Sequence, residues 1–282
     1  MLSRTCIFFG AAVLLFAAAL APAFAQRAHT PRDLNYQIFL PLVTNNACGS
    51  VPGETYHTLA PNPPPTDRPA EQHADLNLAL RGYASTNHTL GLVDYSGAAD
   101  ARSPQLYTLF GDQRVPIFSG VAQVYAWDWD TNSRGDLITN PPVTLAVMQV
   151  AANEILHVPA SGYNIGTRAV RLPEGFVRDM PGDDPNAYEV LVLYATPERI
   201  TLKYTREDNV IRGYAVHVEN VCVAPELLAL YRQWNDAGRA QLPALKAGQA
   251  FGRALHSEIG VVIRDNGTFL DPRSRKDWWQ GK

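Results

Sequence analysis

Most of the sequence after Asp75 consists of short apolar stretches, rich in β-branched and aromatic residues, that are separated by turn residues. The length and alternation of these stretches predict β-strands rather than helices. The predicted strands are residues 76–82, 91–95, 105–110, 121–129, 143–150, 154–158, 189–195, 200–205, 213–223 and 258–264. The fold class is therefore predicted to be mainly β, with antiparallel sheets.

One segment has the pattern of a helix, residues 225–239. Pro225 suits the first helical turn, and Gly238 suits a C-terminal cap. Apolar side chains at helical spacing form one face, which is interpreted as core packing: Leu227, Leu230, Tyr231 and Trp234. We expect one helix inserted among the strands.

The N-terminus has the pattern of a secretory signal peptide. Arg4 precedes an apolar stretch, residues 7–20, that is too short for a stable membrane span, and small residues then lead up to Ala25. Cleavage is predicted before Gln26. The protein is therefore expected to be secreted, with no integral membrane segment after cleavage.

A proline-rich stretch divides the remaining chain. Residues 26–70 are predicted to form an extended arm and this proline-rich linker. Residues 71–153 are predicted to be an N-terminal β region packed on the main body, which is the β domain of residues 154–282. Removal of the signal peptide leaves Cys48 and Cys222, which could pair in an oxidising exterior; two unpaired thiols are the alternative.

Charge and motifs exclude several classes of function. The chain has 24 basic and 27 acidic side chains, a formal net charge of −3, which argues against binding to nucleic acid. The sequence contains no phosphate-binding loop, no dinucleotide glycine fingerprint and no Gly-x-Ser-x-Gly elbow.

Four pieces of the C-terminal part, in order, resemble a known family. In chain order they are an apolar strand before a Pro-x-x-Gly turn (156–162), a strand ending in Tyr-x-x-His (213–217), a Lys-x-Gly-Gln turn (246–252) and a closing hairpin with Asp-Asn-Gly and Asp-Pro (263–272). This order resembles the lysostaphin-type (LytM-like) peptidoglycan metallopeptidases over about residues 154–272. The resemblance implies a β-sandwich and, in a complete member, a zinc-dependent peptidase.

The residues expected at the catalytic positions of that family depart from its pattern. The strand before the closing hairpin has Glu258 and Gly260 where the resemblance implies a His-x-His pair, and His217 alone occupies a catalytic histidine position. Catalytic zinc usually has three protein ligands. We therefore expect a degenerate site without a cofactor. The alternative is a rearranged zinc site built from His217, Glu219, His256 and Glu258.

An aromatic run supplies the predicted ligand-binding surface. Tyr125, Trp127 and Trp129 are expected on one face of a strand, with Asp128 and Asp130 on the other. Exposed, the rings could stack on sugars while the acids accept hydroxyl protons; buried, they would belong to the core.

A second alternating set lies upstream of the aromatic run. His73, Asp75 and Asn77 alternate in a predicted strand and are expected to face solvent together.

Together these observations predict a secreted, non-catalytic module that binds cell-wall or other glycan or peptide. A metal-dependent peptidoglycan hydrolase with a rearranged zinc site and a purely structural surface protein are the alternatives.

Overall fold

The computed structural model describes residues 48–61, 67–162, 165, 169–171, 177–179 and 187–282. These residues belong to one unit that begins at Asn46. The predicted signal peptide and the arm before Cys48 lie outside the described residues.

The described part of the chain is built mainly from short strands. The strands are β1 (His57–Leu59), β2 (Tyr83–Ser85), β3 (Phe118–Asp128), β4 (Ser133–Leu137), β5 (Leu145–Gln149), β6 (Ile155–His157), β7 (Ala169–Arg171), β8 (Val177–Asp179), β9 (Val190–Thr196), β10 (Arg199–Lys203), β11 (Tyr214–Glu219), β12 (Val221–Val223), β13 (Leu242–Leu245), β14 (Ala250–Ala254), β15 (Glu258–Asp265) and β16 (Thr268–Leu270). The helices are α1 (Pro225–Asp236) and α2 (Arg275–Trp278).

The strands form one large antiparallel sheet and two small ones. The large sheet has eleven strands in the order β1-β13-β9-β10-β11-β15-β5-β3-β2, with β16 paired to β15 and β4 paired to β3. A second sheet has the order β12-β14-β6, and β7 pairs with β8. The prediction of a mainly β fold with antiparallel sheets is confirmed.

The large sheet buries apolar side chains on both faces. The larger core cluster includes Val216, Val218 and Leu193, and helix α1 adds Leu227 and Tyr231 to it. The smaller cluster lies on the other face and consists of Leu78, Ala122, Val124, Leu145, Val262 and Phe269. Because both faces are covered, the central strands are buried along almost their whole length.

A segment that we call the cover segment, Ala70–Gly82, contributes Leu78 to the smaller cluster. It begins with a 3₁₀ turn, Ala70–Gln72, and continues through turns whose backbone bonds are local, such as Leu76 N to His73 O at 2.9 Å. The prediction of a strand over residues 76–82 was therefore wrong. Alternate side chains of this segment are buried because it lies against the sheet and its successive turns direct the apolar side chains onto the sheet.

A second predicted strand, residues 105–110, was also wrong. Residues Leu106–Leu109 form a 3₁₀ helix, with Leu106 and Leu109 buried in the larger cluster.

The predicted helix is confirmed, but it ends three residues earlier than expected, at Asp236. Gly238 and Arg239 have φ values of 87° and 62°, so the chain leaves the helical conformation there. The Arg239 guanidinium then binds the buried Asp208 carboxylate at 2.6 Å. Helix α2 was not predicted, since a single turn leaves too little periodicity to recognise.

The hairpin signal at Asp265-Asn266-Gly267 is confirmed. Asp265 pairs with Thr268, so β15 and β16 are joined by a two-residue turn. Asn266 and Gly267 have φ values of 49° and 79°, as a type I′ turn requires.

The start of the described chain is fixed to the body of the protein. Cys48 and Cys222 form a disulfide, with Cα atoms 5.5 Å apart and 174 residues apart in sequence. Further along, β1 pairs with β13 and adds an edge strand to the large sheet. No helix of the described residues is long and apolar enough to cross a membrane.

We expect the double substitution Cys48→Ser/Cys222→Ser to lower the free energy of unfolding by about 2–5 kcal/mol. The physical reason is that the cross-link restricts the unfolded chain over a long loop. Urea denaturation monitored by tryptophan fluorescence measures this loss. A reducing agent should destabilise the wild type and leave the double variant unchanged; equal sensitivity of both proteins would contradict the prediction.

Candidate functional site

His217, which the resemblance places at a catalytic position, lies on the face of the large sheet beneath the cover segment. Glu219, a candidate ligand of the rearranged zinc site, projects from the same face of β11, because side chains two residues apart on a strand share a face. Their register partners on β15 are Val262 and Gly260. The side chain of His217 is buried, with 1 % of the residue exposed. It therefore lies in the interior of the protein and not at the wall of an open cleft.

The hydrogen bonds of His217 define its tautomer. The Thr201 hydroxyl donates to the Leu76 carbonyl oxygen of the cover segment at 2.8 Å. The 2.9 Å bond between Thr201 Oγ1 and His217 Nδ1 must therefore be donated by the imidazole. Nδ1 thus carries the proton, and Nε2 is a buried acceptor without a hydrogen-bond partner among the described residues.

The surroundings of this imidazole favour its neutral form. Burial is the main cause that holds the pKa of His217 well below its usual value, and the positive charge of Arg264 adds to the effect. The negative charge of Asp75 acts in the opposite direction but does not reverse it.

A shared carboxylate fixes the cover segment to the sheet. Asp75 Oδ1 lies 2.5 Å from Arg81 Nη2 and 2.7 Å from Arg264 Nη1, so two guanidinium groups bind one carboxylate oxygen. Burial alone would raise the pKa of Asp75, but the two arginines hold it below its usual value. The expectation that His73, Asp75 and Asn77 form an exposed strand face was therefore wrong, because the segment folds as turns and directs Asp75 inward.

Glu219 belongs to a neighbouring polar group on the same face. Its carboxylate accepts a hydrogen bond from the Tyr83 hydroxyl at 2.9 Å and lies 3.3 Å from Arg199 Nε. Burial raises the pKa of Glu219, while Arg199 and Tyr83 oppose the shift. The carboxylate therefore has partners from β2 and β10 already.

The four predicted metal candidates do not form a ligand set. His256 is exposed in the turn before β15, and Glu258 begins that strand opposite Gln149. A Cβ at Gly260 would lie 3.4 Å from Glu219 Cβ and 3.5 Å from a methyl group of Leu145, so the space beside it is filled. Among the described residues, no three His, Cys, Asp or Glu side chains come together to hold a metal ion. These residues do not fit the catalytic zinc of the resembled family.

The aromatic run is placed at the surface. Tyr125, Trp127 and Trp129 lie outside both core clusters, and Trp129 is 40 % exposed. The Trp127 and Trp129 rings meet edge to face, with centroids 6.5 Å apart. Beside them, the Asp128 carboxylate accepts bonds from the backbone N–H groups of the turn that follows, at 2.9 and 3.2 Å. Trp129, supported by the half-buried Trp127, therefore presents an accessible apolar surface at the end of the strand.

Two residues distant in sequence complete this surface. The His73 ring meets Trp129 at 5.1 Å, and the Arg68 guanidinium lies over the Trp129 ring at 5.0 Å. On β4, Arg134 lies over the Tyr125 ring at 4.8 Å. Sequence analysis identified none of these three side chains as part of the surface, because no local pattern connects them with the aromatic run.

A separate shallow groove lies beside the second sheet. It encloses about 360 Å³ and is lined by Thr108, Phe110, Gly111, Gln113, His157, Ala160, Ala247 and Gly248. His157 Nδ1 is buried there without a hydrogen-bond partner among the described residues. None of these groove residues was a candidate from sequence, and the groove is distinct from the aromatic surface.

Comparison with known proteins finds no matching family model, no similar curated protein and no similar solved structure. The site is therefore interpreted from its own geometry.

We expect Asp75→Asn to lower the free energy of unfolding by about 2–4 kcal/mol, because two buried guanidinium groups lose their shared counter-charge. Denaturant titration measures the loss. The matched control is Asp94→Asn, since the Asp94–Arg275 pair is exposed, and it should cost less than about 1 kcal/mol. Equal losses in the two variants would contradict a structural role for the Asp75 cluster.

His217 should make the protein less stable as the pH falls below about 6.5. The unfolded chain binds a proton on this imidazole there and the native protein does not, so the free energy of unfolding falls by up to about 1.4 kcal/mol per pH unit. His217→Asn keeps a donor near Nδ1 and should remove this contribution. The measurement is denaturant titration of wild type and variant between pH 5.0 and 7.5.

Other groups also change the stability between pH 5.0 and 7.5, so the informative quantity is the difference between His217→Asn and the wild type. Burial lowers the pKa of His73, which therefore contributes with the same sign as His217. Burial raises the pKa of Glu219, and it raises the pKa of Glu189 to about 7, so both carboxyl groups contribute with the opposite sign. His88→Asn, at an exposed position, is the control substitution and should keep the wild-type dependence. A His217→Asn profile parallel to that of the wild type would rule out this account.

Proposed function

We propose that the protein is a secreted, non-catalytic module that binds a cell-wall or other glycan through Trp127 and Trp129. The observation that carries the proposal is the edge-to-face indole pair at the end of β3, in which Trp129 is 40 % exposed and Trp127 is half-buried behind it. A sugar ring has an apolar face of C–H groups that packs on an indole, and exposing an indole to water without a ligand is unfavourable.

Polar groups next to the indoles suit the hydroxyl groups of a sugar. Asp128 is exposed at the end of β3, and Asp130 and Asn132 are exposed in the turn that follows. Carboxylate and amide oxygens accept hydroxyl protons, so an apolar platform with a polar border matches both aspects of a carbohydrate.

The closed sheet face supports a binding role rather than a catalytic one. The cover segment, held by the shared Asp75 carboxylate, encloses His217 beneath it. A hydrolytic group must reach its substrate or an activated water. Together with the resemblance to a peptidoglycan peptidase, this favours a protein that retains attachment to cell-wall glycan without cleaving it.

Retention on purified, insoluble peptidoglycan tests the proposal. We expect wild-type protein to be retained and Trp129→Ala to bind about fivefold or more weakly, because one stacking contact of about 1 kcal/mol is lost. The dissociation constant comes from depletion of free protein at increasing amounts of peptidoglycan.

Trp234→Ala is the control, since Trp234 is partly exposed on helix α1, away from the aromatic run. It should bind like the wild type. Circular dichroism confirms that each variant is folded. If wild type, Trp129→Ala and heat-denatured protein are retained equally, the proposal is wrong.

A further inference from the structure

Two arginines lie against the aromatic residues of the proposed binding surface. The Arg68 guanidinium lies over Trp129, and the Arg134 guanidinium lies over Tyr125. Arg134 is also the register partner of Trp127 across the β3–β4 pair. We call the five residues Arg68, Tyr125, Trp127, Trp129 and Arg134 the arginine–aromatic surface. Two planar cations, Arg134 from the β3–β4 hairpin and Arg68 from the chain before the cover segment, thus lie over aromatic rings of this surface.

Within the described part of the chain, the two guanidinium groups use few of their hydrogen-bond donors. A guanidinium has five N–H donors. Arg68 gives one hydrogen bond to Asn132 Oδ1 at 3.3 Å and lies 3.6 Å from Asp67. The Arg134 guanidinium makes no hydrogen bond or ion pair with the side chain of another described residue. By contrast, the guanidinium groups of Arg81 and Arg264 are buried against Asp75 and serve the fold.

Stacking prepares these guanidinium groups to bind an anion. The ring restricts the plane of the guanidinium, so less side-chain entropy is lost when its N–H groups bind a ligand. The edge of a stacked guanidinium presents paired donors whose spacing matches the two oxygens of a carboxylate. A sugar that bears a carboxylate could place its ring on the indoles and its carboxylate on an arginine.

From this arrangement, and resting on the proposed function, we propose that the ligand of the arginine–aromatic surface is an acidic glycan, whose sugar carboxylates bind Arg68 and Arg134. Neutral glycans would use the indoles alone and bind more weakly.

Negatively charged side chains near the arginine–aromatic surface provide a second test, because their effect on binding depends on whether the ligand is an anion or a cation. Four exposed carboxylates lie close to the arginines in sequence, and each opposes an anionic ligand: Asp67, Asp128, Asp130 and Asp136. Removing the charge of Asp130 should therefore strengthen binding of an acidic glycan. For a cationic ligand the same substitution would weaken it.

The experiment compares hexagalacturonate with its fully methyl-esterified form by isothermal titration calorimetry. The two probes share ring, length and linkage and differ in the carboxylate charge. We expect wild type to bind the acid form about three- to tenfold more tightly, and this preference to shrink as the salt concentration rises. Arg68→Gln and Arg134→Gln should each reduce the preference, and Asp130→Asn should increase it.

Arg232→Gln, at an exposed position of helix α1, is the matched control and should keep the wild-type preference. Equal binding of the two forms, or a preference that both arginine variants retain, would overturn the inference. If Trp129→Ala loses both forms while wild type binds them equally, glycan binding stands and only the acidic specificity fails. If neither form binds and peptidoglycan is not retained, both proposals fail.

Discussion

The carboxylate that Arg81 and Arg264 share holds the second face of the large sheet together. Asp75 comes from the cover segment, and Arg264 comes from β15 in the middle of the sheet. Arg264 is only 4 % exposed, so its charge needs a partner inside the protein. The position of the cover segment, the enclosure of His217 and the packing of Leu78 all depend on this neutralisation.

Residues at the same strand positions can form either an accessible functional site or part of the core, depending on whether another segment covers that face of the sheet. Strand periodicity places His217 and Glu219 on one face of β11. With the cover segment in place, the Thr201 hydroxyl donates to the Leu76 carbonyl oxygen and accepts from the imidazole Nδ1, and the Tyr83 hydroxyl donates to the Glu219 carboxylate. Because Gly260 has no side chain, Glu219 and Leu145 occupy the space beside it. The resemblance to the peptidoglycan peptidases stays a prediction, while the burial of these side chains explains why they act as part of the fold.

Local patterns were sufficient for much of the sheet. The alternation in residues 200–205 and the Asn266-Gly267 turn placed β10 and the β15–β16 hairpin correctly, because side-chain alternation and turn type are local properties. The strand predicted over residues 213–223 is divided at Asn220, with a φ of 59°, into β11 in the large sheet and β12 in the second sheet. The strand predicted over residues 76–82 failed because successive turns on a sheet bury apolar residues with a similar spacing.

The candidate site was less predictable, since it depends on contacts between distant parts of the chain. Asp75 and Arg264 are separated by 189 residues, and neither has a neighbouring signal that identifies the other. Arg68 and His73 reach Trp129 from before the first long strand for the same reason. The aromatic run itself was recognisable, because three rings at a spacing of two residues are a local pattern.

The cover segment has an outer side as well as an inner one. Its His73 ring contacts Trp129, its Arg81 donates to the Tyr125 carbonyl oxygen at 3.3 Å, and its Gly82 lies directly beneath the Arg134 guanidinium. The cover segment therefore contacts both the buried ion cluster and the aromatic surface and lies between them. The two sites are therefore thermodynamically coupled. A ligand that binds to the aromatic surface and orders the cover segment also stabilises the buried ion cluster. Loosening of the ion cluster weakens ligand binding at the aromatic surface by the same coupling free energy.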